Sequence, residues 1–232
     1  MPRCIGTPPI SVAPFRLESH VAVTDASRSP GKSSAFAQAA QVHATSTTAW
    51  RRWLTRHASR STGVWLVTWK KATGKPRMDY AEAVEEALAF GWIDSLPRSL
   101  DAERSMLWFA PRKPRTGWSR VNKARVARVI ANGRMTPAGL AKVTQAKRDG
   151  SWTKLDEVEA LVIPADLAQA MAAYPGARAH FDAFPRSVKR GILEWIGNAR
   201  RAETRQRRLD ETARLAAQNV RANQWRPQAA KG

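Results

Sequence analysis

A chain of 232 residues that is 43% hydrophobic and holds ten tryptophans carries ample apolar material for one or two packed domains, which excludes disorder over most of its length. Its apolar runs, of which residues 64–69 are typical, fall far short of the roughly 20 residues that a membrane-spanning helix needs. The first forty residues contain no continuous apolar segment of the kind a secretory signal requires, so a cytoplasmic protein with no membrane span is expected. The formal net charge is +20 and unevenly placed: residues 45–150 hold 21 basic and 8 acidic side chains, against 14 and 9 in residues 151–232 and 4 and 2 in residues 1–44. Clustered charge points to a polyanionic partner, whereas a surplus shared by a whole basic proteome says only solubility; both readings stay open.

Residues 1–44 mix Pro, Ser, Ala and Gly without a sustained period and read as a flexible leader. Cys4, the only cysteine, lies in it, so neither an internal disulfide nor a thiolate metal site is expected. Trp50, Trp53, Leu54 and His57 then follow helical spacing. Residues 64–69, apolar on both alternating faces, predict a covered strand. Asp79 followed three residues on by Glu82 predicts a capped helix ending at Gly91. Residues 92–100 and 105–110 read as two strands joined around Asp101 into a hairpin beside the first strand. Ser119 caps a helix running to Asn132, and Thr136 with Pro137 starts another that Gly150 ends. Past a loop at residues 152–164, four helices are expected, at 166–174, 177–184, 185–198 and 202–217. The fold class is therefore α+β: a small mixed or antiparallel sheet with helices, followed by a small all-helical domain. The expected boundaries are a leader at 1–44, an α+β domain at 45–157, a helical domain at 158–217 and a flexible tail at 218–232.

On a helical wheel, Trp118, Val121, Val126, Val129 and Ile130 define an apolar arc that also takes in Asn122 and Arg125. Polar groups facing a core need partners, and the carboxylates of Asp94 and Asp101 are the nearest in sequence. Either an Arg–Asp pair locks helix to sheet, or Arg112, Asn122 and Arg125 form a pocket for an anionic group, matched by the planar guanidinium fork. The stretch APRKPRTGWSR (110–120) would bring Arg112, Lys113, Arg115 and Arg120 to phosphates, with Trp118 either stacked on a base or buried. Arg200, Arg201, Arg205, Arg207 and Arg208 crowd one helix junction as a second basic surface, or as a solvated face partly paired with acids. Glu82, Glu85 and Glu86 read as a solvated helix face. The glycines of GRMTPAG (133–139) read as helix capping rather than an anion cradle. His20, His43, His57 and His180 are scattered, and no metal-ligand spacing, phosphate-binding loop or nucleophile motif is present. No catalytic residue, metal or cofactor is expected.

Five blocks, GVWLVTWKK (63–71), DYAEAVEEALAFGWID (79–94), FAPRKPRTGWSRVN (109–122), GRMTPAGLAKVTQAKRDGSW (133–152) and EWIGNARRAETRQRR (194–208), together resemble the YdeI/OmpD-associated, bacteriocin-protection family over about residues 50–215. Trp69 followed by Ala72, and the leader, depart from the family pattern. The resemblance implies a mixed α+β region followed by a short helical domain, and no catalytic residue comes with it. It further implies a non-enzymatic, cytoplasmic protein acting through protein or anionic-ligand contacts in envelope or antimicrobial stress tolerance. A sequence-nonspecific nucleic-acid-binding accessory protein, and a small-molecule-binding protein or cryptic enzyme with an Arg/Asn/Asp pocket, are the alternatives that the residues leave open.

Overall fold

The structure, a computed structural model, describes residues 39–224. Cys4, His20, the greater part of the expected leader and the end of the expected tail lie outside the described residues. Four strands form one mixed sheet in the order β1-β2-β4-β3, with helices packed on it and a helical region after it, so the fold is α+β. Strand β1 (Gln41–His43) runs parallel to β2 (Val64–Trp69), and β4 (Arg104–Pro111) is antiparallel both to β2 and to β3 (Trp92–Ser99). Residues 41–44 thus differ from the expected leader: β1 covers an edge of β2 that would otherwise expose unpaired backbone groups, and Ala44 is buried beside it. With neighbours on both sides, β2 buries Val64, Trp65, Leu66 and Val67 on its two faces.

Cross-strand register sorts those faces. Val64 lies opposite Phe109, Leu66 opposite Leu107 and Thr68 opposite Ser105 on the face that the helices cover. That face grades from apolar to hydroxylated along the strands. On the other face Trp65 meets Trp108 edge-on at 5.3 Å, and Arg98 lies over the Trp65 ring.

Helix α1 (Thr47–His57) starts at Ser46, whose hydroxyl accepts from the Ala49 amide. Its Trp50 donates from the indole to the carbonyl of Ala83 at 3.1 Å, fixing α1 to α2 (Tyr80–Ala89). The expected capping box starts α2, and Gly91, at φ +76°, takes the left-handed conformation that ends it. Helices α3 (Arg120–Ala131) and α4 (Pro137–Arg148) begin at Ser119 and Thr136 as expected. Thr136 donates from both amide and hydroxyl to the carbonyl of Ala89, docking the start of α4 on the end of α2. The GRMTPAG glycines thus serve capping and close approach: a Cβ on Gly139 would lie 2.2 Å from that same carbonyl oxygen.

A single-turn helix α5 (Asp156–Glu159) forms within the expected loop. Helices α6 (Ala165–Ala172), α7 (Ala177–Ala183), α8 (Arg186–Gly197) and α9 (Ala202–Ala217) enclose a second core, including Leu167, Met171, Phe181, Ile192, Ile196 and Leu209. Residues 218–222, expected as tail, fold back onto this core: Val220 donates to the Leu215 carbonyl and Ala222 is buried. Among the described residues no helix is long and apolar enough to cross a membrane.

Candidate functional site

A half-open hollow of about 400 Å³ lies where the helix-covered face of the sheet turns polar. Leu66, Met78, Met106 and Leu107 supply apolar lining, and Thr68, Ser95 and Ser105 supply hydroxyls. Helix α2 closes one side with Tyr80 and Ala83. The volume falls in the range of small-ligand sites, which combine an apolar lining with a few converging polar groups.

A β-bulge builds the polar wall. Asp94 lies opposite Phe109 and Pro97 opposite Leu107, so three steps along β3 match two along β4. Regular alternation from Asp94 would place Leu96 and Arg98 on the helix-covered face. The inserted residue instead puts Pro97 and Ser99 there, leaves Leu96 exposed and sends Arg98 to Trp65 on the opposite face. Consecutive residues Asp94 and Ser95 can then both line the hollow. Tyr80 donates its hydroxyl to the Asp94 carboxylate at 2.8 Å. Burial first, and then the hydrogen bond and charge of Asp94, push the Tyr80 hydroxyl above its ordinary range, while Arg125 pulls it down. Tyr80 therefore stays protonated at neutral pH and acts as a donor. The cation that lines the hollow, Arg77, is paired with Asp79 at 3.3 Å.

The residues expected to carry function are placed differently from one another. Arg125 donates to the Asn122 side chain at 2.9 Å and lies over the Tyr80 ring at 5.4 Å. It thus reaches the Tyr80–Asp94 pair through the ring, without the direct Arg–Asp bridge expected from the wheel. Asp101 sits in the β3–β4 turn and pairs with Arg104, which holds its carboxyl below the usual range. The expected apolar arc is corrected too: Val126 and Val129 are buried, but Val121 and Ile130 are exposed, so α3 is rotated from its wheel and Asn122 and Arg125 border the contact instead of crossing its centre.

Arg112 is only 6% exposed and stands apart from Asn122 and Arg125. Its guanidinium donates to the Thr116 and Gly117 carbonyls and stacks on Trp118 with 3.7 Å to the ring centroid. Burial pushes that guanidinium down to about 10. Trp118 is 2% exposed and closed to base stacking. Lys113, Arg115 and Arg120 are exposed. Of the second basic surface, Arg200 and Arg201 are exposed and Arg205 holds Asp166 through two hydrogen bonds at 2.6 and 3.1 Å. Arg208 is turned inward to the Trp195 carbonyl and ring. The surface is therefore part solvated and part structural.

Glu86 departs most from expectation. Rather than facing solvent it is 1% exposed, where it accepts from Arg51 at 2.8 Å and pairs with Arg134. Only Glu82 and Glu85 keep surface roles, in the capping box and with Arg128. Tyr80 and Ser95, the residues that complete the pocket, carried one signal in the sequence: Pro97 within a strand marks a bulge or an edge.

The fold and site define an α+β protein with a ligand-sized hollow on its sheet and a helical C-terminal region. Residues 160–219, which contain one of the five sequence blocks (194–208), match the family described as Bacteriocin-protection, YdeI or OmpD-Associated. The match covers the helical region, while residues 42–142 match a domain of unknown function (DUF8412). No curated protein and no solved structure matches the chain.

Proposed function

We propose that this chain is a non-catalytic small-molecule-binding protein that holds its ligand in the sheet hollow and acts in the cytoplasm in envelope or antimicrobial stress tolerance. The observation that carries the binding role is the bulge, which aligns Asp94 and Ser95 on one wall of a hollow of about 400 Å³ with mixed apolar and hydroxyl lining. The description of the family matched by residues 160–219 supports the tolerance setting.

Asp94 sets the ligand chemistry. Its carboxylate has acceptor capacity beyond the bond from Tyr80, and Arg77 at the rim is already paired. The complementary ligand is a small molecule with an apolar body and one cationic or strongly donating nitrogen. Tyr80, held protonated, anchors the carboxylate and does not serve as a base. Titration of a small aryl-alkyl amine into isotopically labelled protein tests this. Shifts centred on residues 66–68, 78–83, 94–97 and 105–107, abolished by filling the hollow with Ser105→Leu, support it; shifts centred elsewhere overturn it.

A further inference from the structure

Away from the sheet hollow, two adjoining depressions share the side chain of Arg115. The first is also lined by Lys113 and Lys142, with the buried Arg112 behind them. The second, about 550 Å³ in volume, is also lined by Lys154 and by Arg200 from the turn before α9. Six cations thus face two carboxylates, Asp149 and Glu194. Glu194 pairs with Arg190 at 3.0 Å, whereas Asp149 accepts from the Ser151 amide at 3.0 Å and keeps its charge beside Arg115, leaving the cations in excess. Lys113, Lys142, Lys154 and Arg200 make no ion pair among the described residues.

The loop that carries Lys113 and Arg115 is fixed before any partner arrives. Arg112 clamps it through the Thr116 and Gly117 carbonyls, and Thr116 closes it by donating to the Lys113 carbonyl at 2.8 Å. Arg115 is held at φ +60°, a left-handed conformation unusual for a side chain of its size. Among the described residues the Arg112 guanidinium meets no carboxylate and its Nε has no hydrogen-bond partner, so a positive charge held only by two carbonyls and the Trp118 ring lies buried behind the loop.

We propose that this groove binds the phosphodiester backbone of a double-stranded nucleic acid, with Lys113, Arg115 and Lys142 on one stretch of phosphates and Lys154 and Arg200 on the next. The second depression is large enough to admit a phosphate ridge and the first, about 10 Å³ in volume, offers only the cations at its rim, whereas a bilayer surface rests on convex ground. Trp118, the aromatic of the loop, is buried, so the groove has no stacking platform of the kind single-strand binders use. With phosphates as the contacts, binding is independent of base sequence and steeply dependent on salt.

The test is fluorescence anisotropy of the full chain with a labelled duplex of about 20 base pairs, in DNA and RNA forms, between about 50 mM and 300 mM salt. Two variants are compared with wild type: Lys113→Ala/Arg115→Asn/Lys142→Ala, in which Asn tolerates the left-handed backbone, and Lys154→Gln/Arg200→Gln. Each lost phosphate contact should lower the slope of log K against log salt by about 0.9, so the first variant should lose about three such steps and the second about two. Unchanged thermal melting establishes that both variants are folded, and the second, confined to exposed side chains, keeps the test intact if the first is not. Absence of binding at low salt, a slope unchanged in the folded variants, binding confined to single strands, or binding only to vesicles containing anionic phospholipid would each overturn the proposal.

Discussion

Glu86 and Arg51 form an ion pair, at 2.8 Å, in which the acid is almost wholly buried and the base is about one-third exposed. Arg134 joins the same carboxylate, and Arg51 also donates to the Arg134 carbonyl and lies over the Phe90 ring. One acid of α2 thus ties α1 to the turn between α3 and α4.

The burial asymmetry fixes the direction of a mutational experiment. Deleting Glu86 leaves two guanidinium groups that can swing into water, so Glu86→Ala should cost about 1–3 kcal/mol. Arg51→Ala/Arg134→Ala strands a buried carboxylate, and the expected cost is about 3–5 kcal/mol. Urea unfolding should rank the double variant below the single one; the reverse order would mean that Glu86 is not buried as described.

Gly139→Ala separates helix propensity from packing. Alanine should add about 1 kcal/mol to an exposed helix. Here its methyl would lie 2.2 Å from the Ala89 carbonyl oxygen, a backbone atom that Thr136 already holds. Overpacking should dominate, giving a net loss of about 1–3 kcal/mol in chemical denaturation. A stabilised variant would refute the docking of α4 on α2.

Much of this fold is legible in the sequence because its helices carry their own start and stop chemistry, as with Asp79 and Glu82, Ser119, and Thr136 with Pro137. Residues 64–67 declare a covered strand through an unbroken apolar run. Strand β1 is too short to show alternation and exists only because β2 offers it an edge. A wheel misplaces Glu86 because it has one buried face, whereas α2 is covered from several sides by the sheet and by α1, α3 and α4. The candidate site is half legible: Asp94 and Arg125 stand out in the sequence as polar groups needing partners. Their link through Tyr80, and the presence of Ser95, depend on a bulge that only strand pairing reveals.

Arg205 should govern part of the acid limb of stability. Its hydrogen bonds, with a smaller contribution from its charge, hold the Asp166 carboxyl below the ordinary value of about 3.9. The pair therefore stabilises the fold above that value, and its contribution is lost as pH falls toward the lower folded value. Because Asp166 is partly exposed, the effect should not exceed about 1 kcal/mol and should shrink in high salt. In Arg205→Ala, the decline of the melting temperature on acidification below about pH 5 should be shallower than in wild type. An equally steep decline would show that the pair contributes nothing.

Calorimetric titration of phenethylamine into wild type and Asp94→Asn tests the sheet hollow most directly as a ligand site. The account predicts one site, a loss of at least tenfold in affinity in Asp94→Asn, a smaller loss in Tyr80→Phe, and no binding of the matching carboxylate, phenylacetate. Equal affinity of wild type and Asp94→Asn for the amine, or a preference for the carboxylate, would contradict it.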